Sequence, residues 1–260
     1  MKFTDCLNSK RPALVAMITH NELGDAIAEI TSALYDGADA FGISLCHLRA
    51  EYRDAESFDK LFAACACRPV YIYCYPAAEC ADLSYDKCMD ILLLAAERGM
   101  AYVPVICDIM CDTYDKCENG FSYDVNAEMK QKALAKKIHA LGAQVLYSVH
   151  HKDFLGEDEI LRQARVQVER GADLVKIVTQ ARTREELIAN FNIINKLKAE
   201  LPVPFLYLSG GKYSYQVRQL GPAFGVCMYL CVDNYNIHAT KMQPSLRGTK
   251  AIRDNLIIID

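Results

Sequence analysis

The residue most able to do chemistry in this chain is Lys176. It stands in Asp173-Leu174-Val175-Lys176-Ile177-Val178, where it interrupts an apolar, β-branched run that reads as a buried strand. Burying an ammonium is costly, so such a site favours the neutral amine. A neutral amine attacks a ketone and forms an imine. The plainer reading is a lysine that snorkels to the rim or pairs with an acid. His150, at the end of the preceding strand, tips the balance toward chemistry, because an imidazole moves protons on and off a substrate near neutrality. His151 competes with it. Successive side chains of a strand face opposite sides, so only one of the two points inward unless the strand has ended.

These residues need a scaffold that brings strand ends together. Short apolar segments alternate with amphipathic ones along the whole chain. Strands are expected at 13–18, 40–45, 70–74, 101–107, 144–149, 174–178, 205–208 and 225–231. Helices are expected at 23–35, 85–98, 127–141, 157–170 and 184–200. A helix–Gly–Ala–strand unit recurs at Gly37-Ala38-Asp39, Gly142-Ala143-Gln144 and Gly171-Ala172-Asp173. Eight strand–helix units in 260 residues imply an α/β fold, a (β/α)8 TIM barrel forming one domain over 1–260. The segment 108–124 is expected to be a lid or substrate loop.

In such a barrel the site lies at the C-terminal strand ends. Those ends carry His20, Cys46, His47, Tyr73, Tyr75, Asp108, Ser148, His150, Lys176, Ser209 and Asp233. A metal site built from His20, His47, His150 and His151, with Cys46 or Asp108, is conceivable, but no compact ligand motif supports it. No metal and no cofactor is expected.

The bulk composition sets limits. Apolar residues make up 52% of the chain and the net charge is −4, with lysines and arginines scattered, so no nucleic-acid partner is expected. The first eleven residues are polar and no apolar run is long enough to span a bilayer, so the expected location is the cytoplasm, with no membrane partner. Twelve cysteines are read mainly as small buried thiols, since Cys65-Ala-Cys67 and Cys107-x3-Cys111 lack the spacing of a structural zinc site.

At Ser148-Val149-His150 and Gly171-Ala172-Asp173-Leu174-Val175-Lys176-Ile177 the chain resembles the type I 3-dehydroquinate dehydratases. That family carries Ser-Tyr-His-Asp-Phe on strand five and Gly-Ala-Asp-Ile-x-Lys-Ile on strand six. Gly37-Ala38-Asp39-Ala40 and Gly221-Pro222-Ala223-Phe224-Gly225 extend the likeness toward both ends. The resemblance implies a Schiff-base lyase of the dehydratase type. Lys176 would form an imine with a keto acid, and His150 would transfer protons as general acid and base. It further implies that Arg218 grips a substrate carboxylate and that Gln243 matches a late family glutamine. With Tyr75 and His151 these make up the expected substrate-binding set. A homodimer is compatible with the resemblance.

The departures concern substrate choice. The family's strand-two Glu-x-Arg stands here as Gly42-Ile43-Ser44, its strand-three arginine as Tyr75, and its strand-four Asp-x-Glu as Pro104-Val105-Ile106. Arg49, Glu51 and Asp108 are the available replacements. The wall of Gly42, Tyr73, Tyr75 and Ile106 predicts a less hydroxylated or more aromatic substrate. A class I aldolase using the same lysine, and a non-catalytic ligand-binding barrel, are the alternatives.

Overall fold

A computed structural model describes residues 2–7, 11–75, 83–111 and 121–256. Eight parallel strands follow one another in the order β7-β6-β5-β4-β3-β2-β1-β8. They are β1 (Ala13–Ile18), β2 (Ala40–Ser44), β3 (Val70–Tyr73), β4 (Val105–Met110), β5 (Gln144–His150), β6 (Leu174–Gln180), β7 (Phe205–Gly210) and β8 (Met228–Cys231). The edges β7 and β8 approach each other where the Cys227 amide donates to the Phe205 carbonyl at 3.0 Å. The strands therefore form a nearly closed barrel, the TIM-barrel architecture expected from the repeat pattern.

Helices cover the outside: α1 (Leu23–Tyr35), α2 (Ala55–Ala64), α3 (Tyr85–Gly99), α4 (Val125–Ala140), α5 (Glu157–Glu169), α6 (Arg184–Glu200), α7 (Ser214–Leu220) and α8 (Leu246–Asn255). Three of them, α2, α7 and α8, are absent from the sequence expectation. They are short, at ten, seven and ten residues, so few turns carry their periodicity. Where a start is marked at all, a single cap marks it, such as Asp54, whose carboxylate accepts from the Ser57 amide at 2.8 Å.

The Gly-Ala-Asp turns hold the bottom of the barrel. Gly37 and Gly171 adopt φ of +91° and +101°, which stops α1 and α5. The next amide reaches back into the helix, Ala38 to Ala33 at 2.9 Å and Ala172 to Gln167 at 3.1 Å. The Asp carboxylate then accepts from the first amides of the neighbouring strand, Asp39 from Leu14 at 2.9 Å and Asp173 from Val145 at 2.8 Å. The motif is thus scaffolding that sets the height of β2 and β6, and through β6 the height of Lys176.

Strand four differs from expectation in a way that changes the site. It begins at Val105 rather than Ala101. Pro104 has no amide to give the ladder, and the Val103 amide closes a turn on the Gly99 carbonyl at 2.9 Å. The strand consequently runs past Cys107 to Met110, and Asp108 lies inside it rather than at a loop start. Strand eight likewise begins at Met228, because the turn Gly221–Phe224 ends on Gly225 with φ +122°. The expected lid over 108–124 falls largely on 112–120, outside the described residues. Its last part is tied down, with the Ser122 amide on the Cys111 carbonyl at 2.7 Å.

None of the ten described cysteines forms a disulfide, and seven are buried. No helix among the described residues is long and apolar enough to cross a membrane.

Candidate active site

Register determines which side chains meet. Ser148 of β5 sits beside Lys176 of β6, and Met110 of β4 beside Ser148. Tyr73 of β3 sits beside Asp108 of β4. Asp108 is fully buried, and side chains of β3, β5 and β6 converge on it. Its Oδ1 accepts from the Ser148 hydroxyl. Its Oδ2 accepts from the hydroxyls of Tyr71 and Tyr75 and from Lys176 Nζ, the last at 3.0 Å. Lys176 Nζ also donates to Tyr71 OH at 2.8 Å and to Tyr75 OH at 3.2 Å. Lys176, whose expected partner is His150, is therefore paired with an acid inside the barrel, as in the plainer reading.

His150 lies two residues beyond Ser148, on the same face. Its ring meets Tyr75 edge-on, with centroids 5.9 Å apart. Burial first, and the Lys176 charge second, push its pKa down to about 3, against a weaker opposing effect of Asp108. The ring is neutral throughout the physiological range. The sign of the resulting pH dependence is fixed: between pH 6.5 and 3 the unfolded chain binds a proton at His150 that the folded chain refuses, so stability falls as pH falls. Unfolding midpoints measured from pH 7 to pH 4 are expected to drop less steeply in His150→Gln than in the wild type. Equal slopes would show a solvated, ordinary histidine.

The alternation of β5 separates the two histidines. His151 turns outward, where its Nε2 meets Gln163 Oε1 of α5 at 2.8 Å. It still borders the cavity, while its ring ties the strand end to the helix.

A cavity of about 530 Å3 opens above this cluster, bordered by Lys176, His150, Tyr75, Arg218 and Gln243 among others. Arg218, from α7, is only 7% exposed, and its Nε donates to the Ser209 carbonyl at 3.1 Å. Desolvation lowers its pKa to about 10. No carboxylate among the described residues pairs with it. Gln243, on the segment after β8, is equally buried beside the cavity.

Other expected ligands lie elsewhere. His20 pairs with Glu29 at 2.5 Å, and Arg49 with Glu22 at 2.5 Å. Neither borders the cavity, nor does Glu51. Of the three proposed replacements only Asp108 joins the site. Among the described residues no group of three or more His, Cys, Asp or Glu side chains is placed to hold a metal ion.

Two residues escape the sequence reading. Tyr71 shares the inward face of Tyr73 and Tyr75, and the Tyr-x-Tyr-x-Tyr spacing signals it. His238, whose ring lies 5.4 Å from that of His47, comes from the irregular segment after β8 and has no such signal. At Gly42 the room a side chain would need is taken by the Met17 thioether, into which any added Cβ would run. Met17 and the tyrosines, rather than Ile106, form the apolar wall.

A family model for the type I 3-dehydroquinases matches residues 14–235. The chain belongs to this family. Its members are lyases of the dehydratase type. No curated protein sequence matches the chain. Among solved structures it is similar to the type I 3-dehydroquinate dehydratase of Clostridium difficile, described with covalently modified comenic acid. The TM-score is 0.77 and the identity 14%, over 94% of this chain and 92% of that one. The enzyme from Geobacillus kaustophilus gives a TM-score of 0.75 at 13% identity, over 94% and 90% of the two chains. That from Enterococcus faecalis gives 0.74 at 14%, over 94% and 93%. At these identities the likeness carries the barrel and not the substrate.

Proposed function

We propose that this member of the type I 3-dehydroquinase family is an imine-forming lyase acting on a small keto acid poorer in hydroxyl groups than 3-dehydroquinate. The observation that carries the reading is the meeting of two groups in one cavity. An amine that can become a nucleophile, and a buried guanidinium with which no carboxylate among the described residues pairs, border the same space of about 530 Å3. A guanidinium so placed is a bidentate site for a carboxylate. Lys176 attacks the ketone, and the iminium acidifies the adjacent C–H. Neutral His150 takes that proton as general base and returns it to the leaving group as general acid. Gln243 and Tyr75 border the same space and contact the ring or chain of the substrate. Met17, Tyr71 and Tyr73 stand where a polyhydroxylated ring would need polar partners, and an unpaired substrate hydroxyl there is penalised.

Borohydride reduction in the presence of 3-dehydroquinate, comenic acid and 3-oxocyclohexane-1-carboxylate tests this. The expected product is a reduced adduct on Lys176, read by intact mass and peptide mapping and absent from Lys176→Ala. The least hydroxylated acids should label best. The Lys176–Asp108 ion pair favours a second reading, a ligand-binding barrel in which the lysine is structural. That reading gains if the folded protein binds these acids but gives no adduct with any of them. An aldolase would give the adduct and then a product with a broken or new C–C bond.

A further inference from the structure

We infer that Tyr75 and Asp108 form a proton relay that makes and breaks the carbinolamine at Lys176, leaving His150 to act at the α-carbon and the leaving group. The inference rests on the imine reading above and assigns two groups that it leaves without a task at nitrogen.

The chemistry at nitrogen has a closed proton count. A ketone and a lysine ammonium give a protonated imine and water, so the two protons lost by Nζ leave with the ketone oxygen. No external acid or base is required. What is required is a group that takes protons from Nζ and a path that carries them to the oxygen on the neighbouring carbon. Asp108 Oδ2, 3.0 Å from Nζ, is the acceptor. Tyr75 OH donates to that same oxygen and lies 3.2 Å from Nζ, at the cavity.

Asp108 first takes a proton from the ammonium and frees the amine lone pair. Nζ forms the C–N bond as the carbonyl π pair moves to oxygen. Tyr75 protonates that oxygen and recovers its proton from Asp108. The carboxylate then removes a second proton from nitrogen, now a dialkylammonium. Tyr75 delivers a proton to the hydroxyl and is reprotonated by Asp108. The hydroxyl leaves as water while the nitrogen lone pair forms C=N. Asp108 ends as a carboxylate beside the positive iminium, and each phenol is again protonated.

Three features favour Tyr75 over its neighbours. Tyr71 contacts the same lysine and the same carboxylate, but it lies four residues earlier, deeper in β3, and is 1% exposed. It also borders the cavity, but its deeper burial leaves it to hold Nζ in place. His150 touches the edge of the Tyr75 ring, and none of its ring hydrogen bonds reaches Lys176 or Asp108 among the described residues. Ser148 supports the other carboxylate oxygen, Oδ1, and so aims Oδ2 at the amine. Both tyrosines hold their protons well above the ordinary phenol range, from burial and from the Asp108 charge, so each is present as a donor.

Isotope exchange separates the two ends of the substrate. With 3-dehydroquinate and 3-oxocyclohexane-1-carboxylate in H2 18O, reversible imine formation moves label into the ketone oxygen. In D2O, proton transfer at carbon moves deuterium into the α position. Tyr75→Phe, checked for folding by its melting curve, is expected to lose at least ~100-fold in 18O exchange, the usual scale for a missing acid–base group. Asp108→Asn interrupts the relay at its other end and should show the same loss. Tyr71→Phe should stay within about tenfold of wild type, well short of the loss of a missing acid–base group. His150→Gln should keep 18O exchange within about threefold, since no acid–base group at nitrogen is removed, and lose deuterium exchange. The relay is overturned if Tyr75→Phe exchanges 18O at the wild-type rate, or if His150→Gln loses it as fully as Tyr75→Phe. If the wild type exchanges no faster than Lys176→Ala, the imine reading fails and the relay fails with it.

Discussion

Arg218→Met is expected to raise the melting temperature of the protein while removing its grip on keto acids. The guanidinium is 7% exposed, bonded through Nε to a single carbonyl, and faces no carboxylate among the described residues. Its pKa falls from 12.5 to about 10 through desolvation. At about 1.36 kcal/mol per pKa unit that corresponds to roughly 3 kcal/mol of folding energy held against the charged form. Methionine has similar length and no charge to desolvate, and it forfeits only the bond to Ser209, about 1 kcal/mol. The net gain, about 2 kcal/mol, corresponds to roughly 4–8 °C in a chain of this size. Binding moves the other way. Truncating the cationic half of a buried, hydrogen-bonded charge pair costs about 2–5 kcal/mol, or roughly 30- to 5,000-fold in affinity. Melting curves with and without 3-oxocyclohexane-1-carboxylate read both effects. The wild type is stabilised by the acid and Arg218→Met is not. A variant that melts lower and still binds would make Arg218 a structural residue of α7.

This trade-off shows what a sequence can and cannot deliver. Lys176 and His150 are legible because each breaks a pattern, a charge in a β-branched strand and an imidazole at the next strand end. The barrel is legible because its repeat is written eight times. Arg218 breaks no local pattern. On α7, a seven-residue helix, it reads as a surface arginine, and only the family likeness singles it out. Its importance lies in a missing partner, and an absence in three dimensions has no sequence signature. Asp108 is visible near a strand end, but sequence alone puts it just past that end. Pro104 and the turn at Gly99 delay β4, and that shift carries Asp108 from the rim into the core. The choice between His150 and His151 follows from strand alternation once the end of β5 is known. The wall is harder still, because Gly42 says nothing about Met17 until β1 and β2 are placed side by side.

The Lys176–Asp108 pair carries the second large effect. Lys176→Met leaves a fully buried carboxylate facing only hydroxyls, and Asp108→Leu leaves an ammonium facing two phenols. Removing one half of a buried pair costs about 3–5 kcal/mol, because the other charge stays in the core uncompensated. Each single variant is therefore expected to lose that much in denaturant unfolding. Lys176→Met/Asp108→Leu is expected to return to within about 1 kcal/mol of wild type, since a buried pair adds little over apolar residues of similar volume. The cycle then gives a coupling energy of several kcal/mol between two residues in contact. Single variants of wild-type stability would mean that the contact between the two residues contributes nothing to folding. The double variant is the more informative about function. If it folds as well as the wild type, the pair is not needed to build the barrel. On the imine reading the double variant should then be stable and inert toward every ketone that labels the wild type.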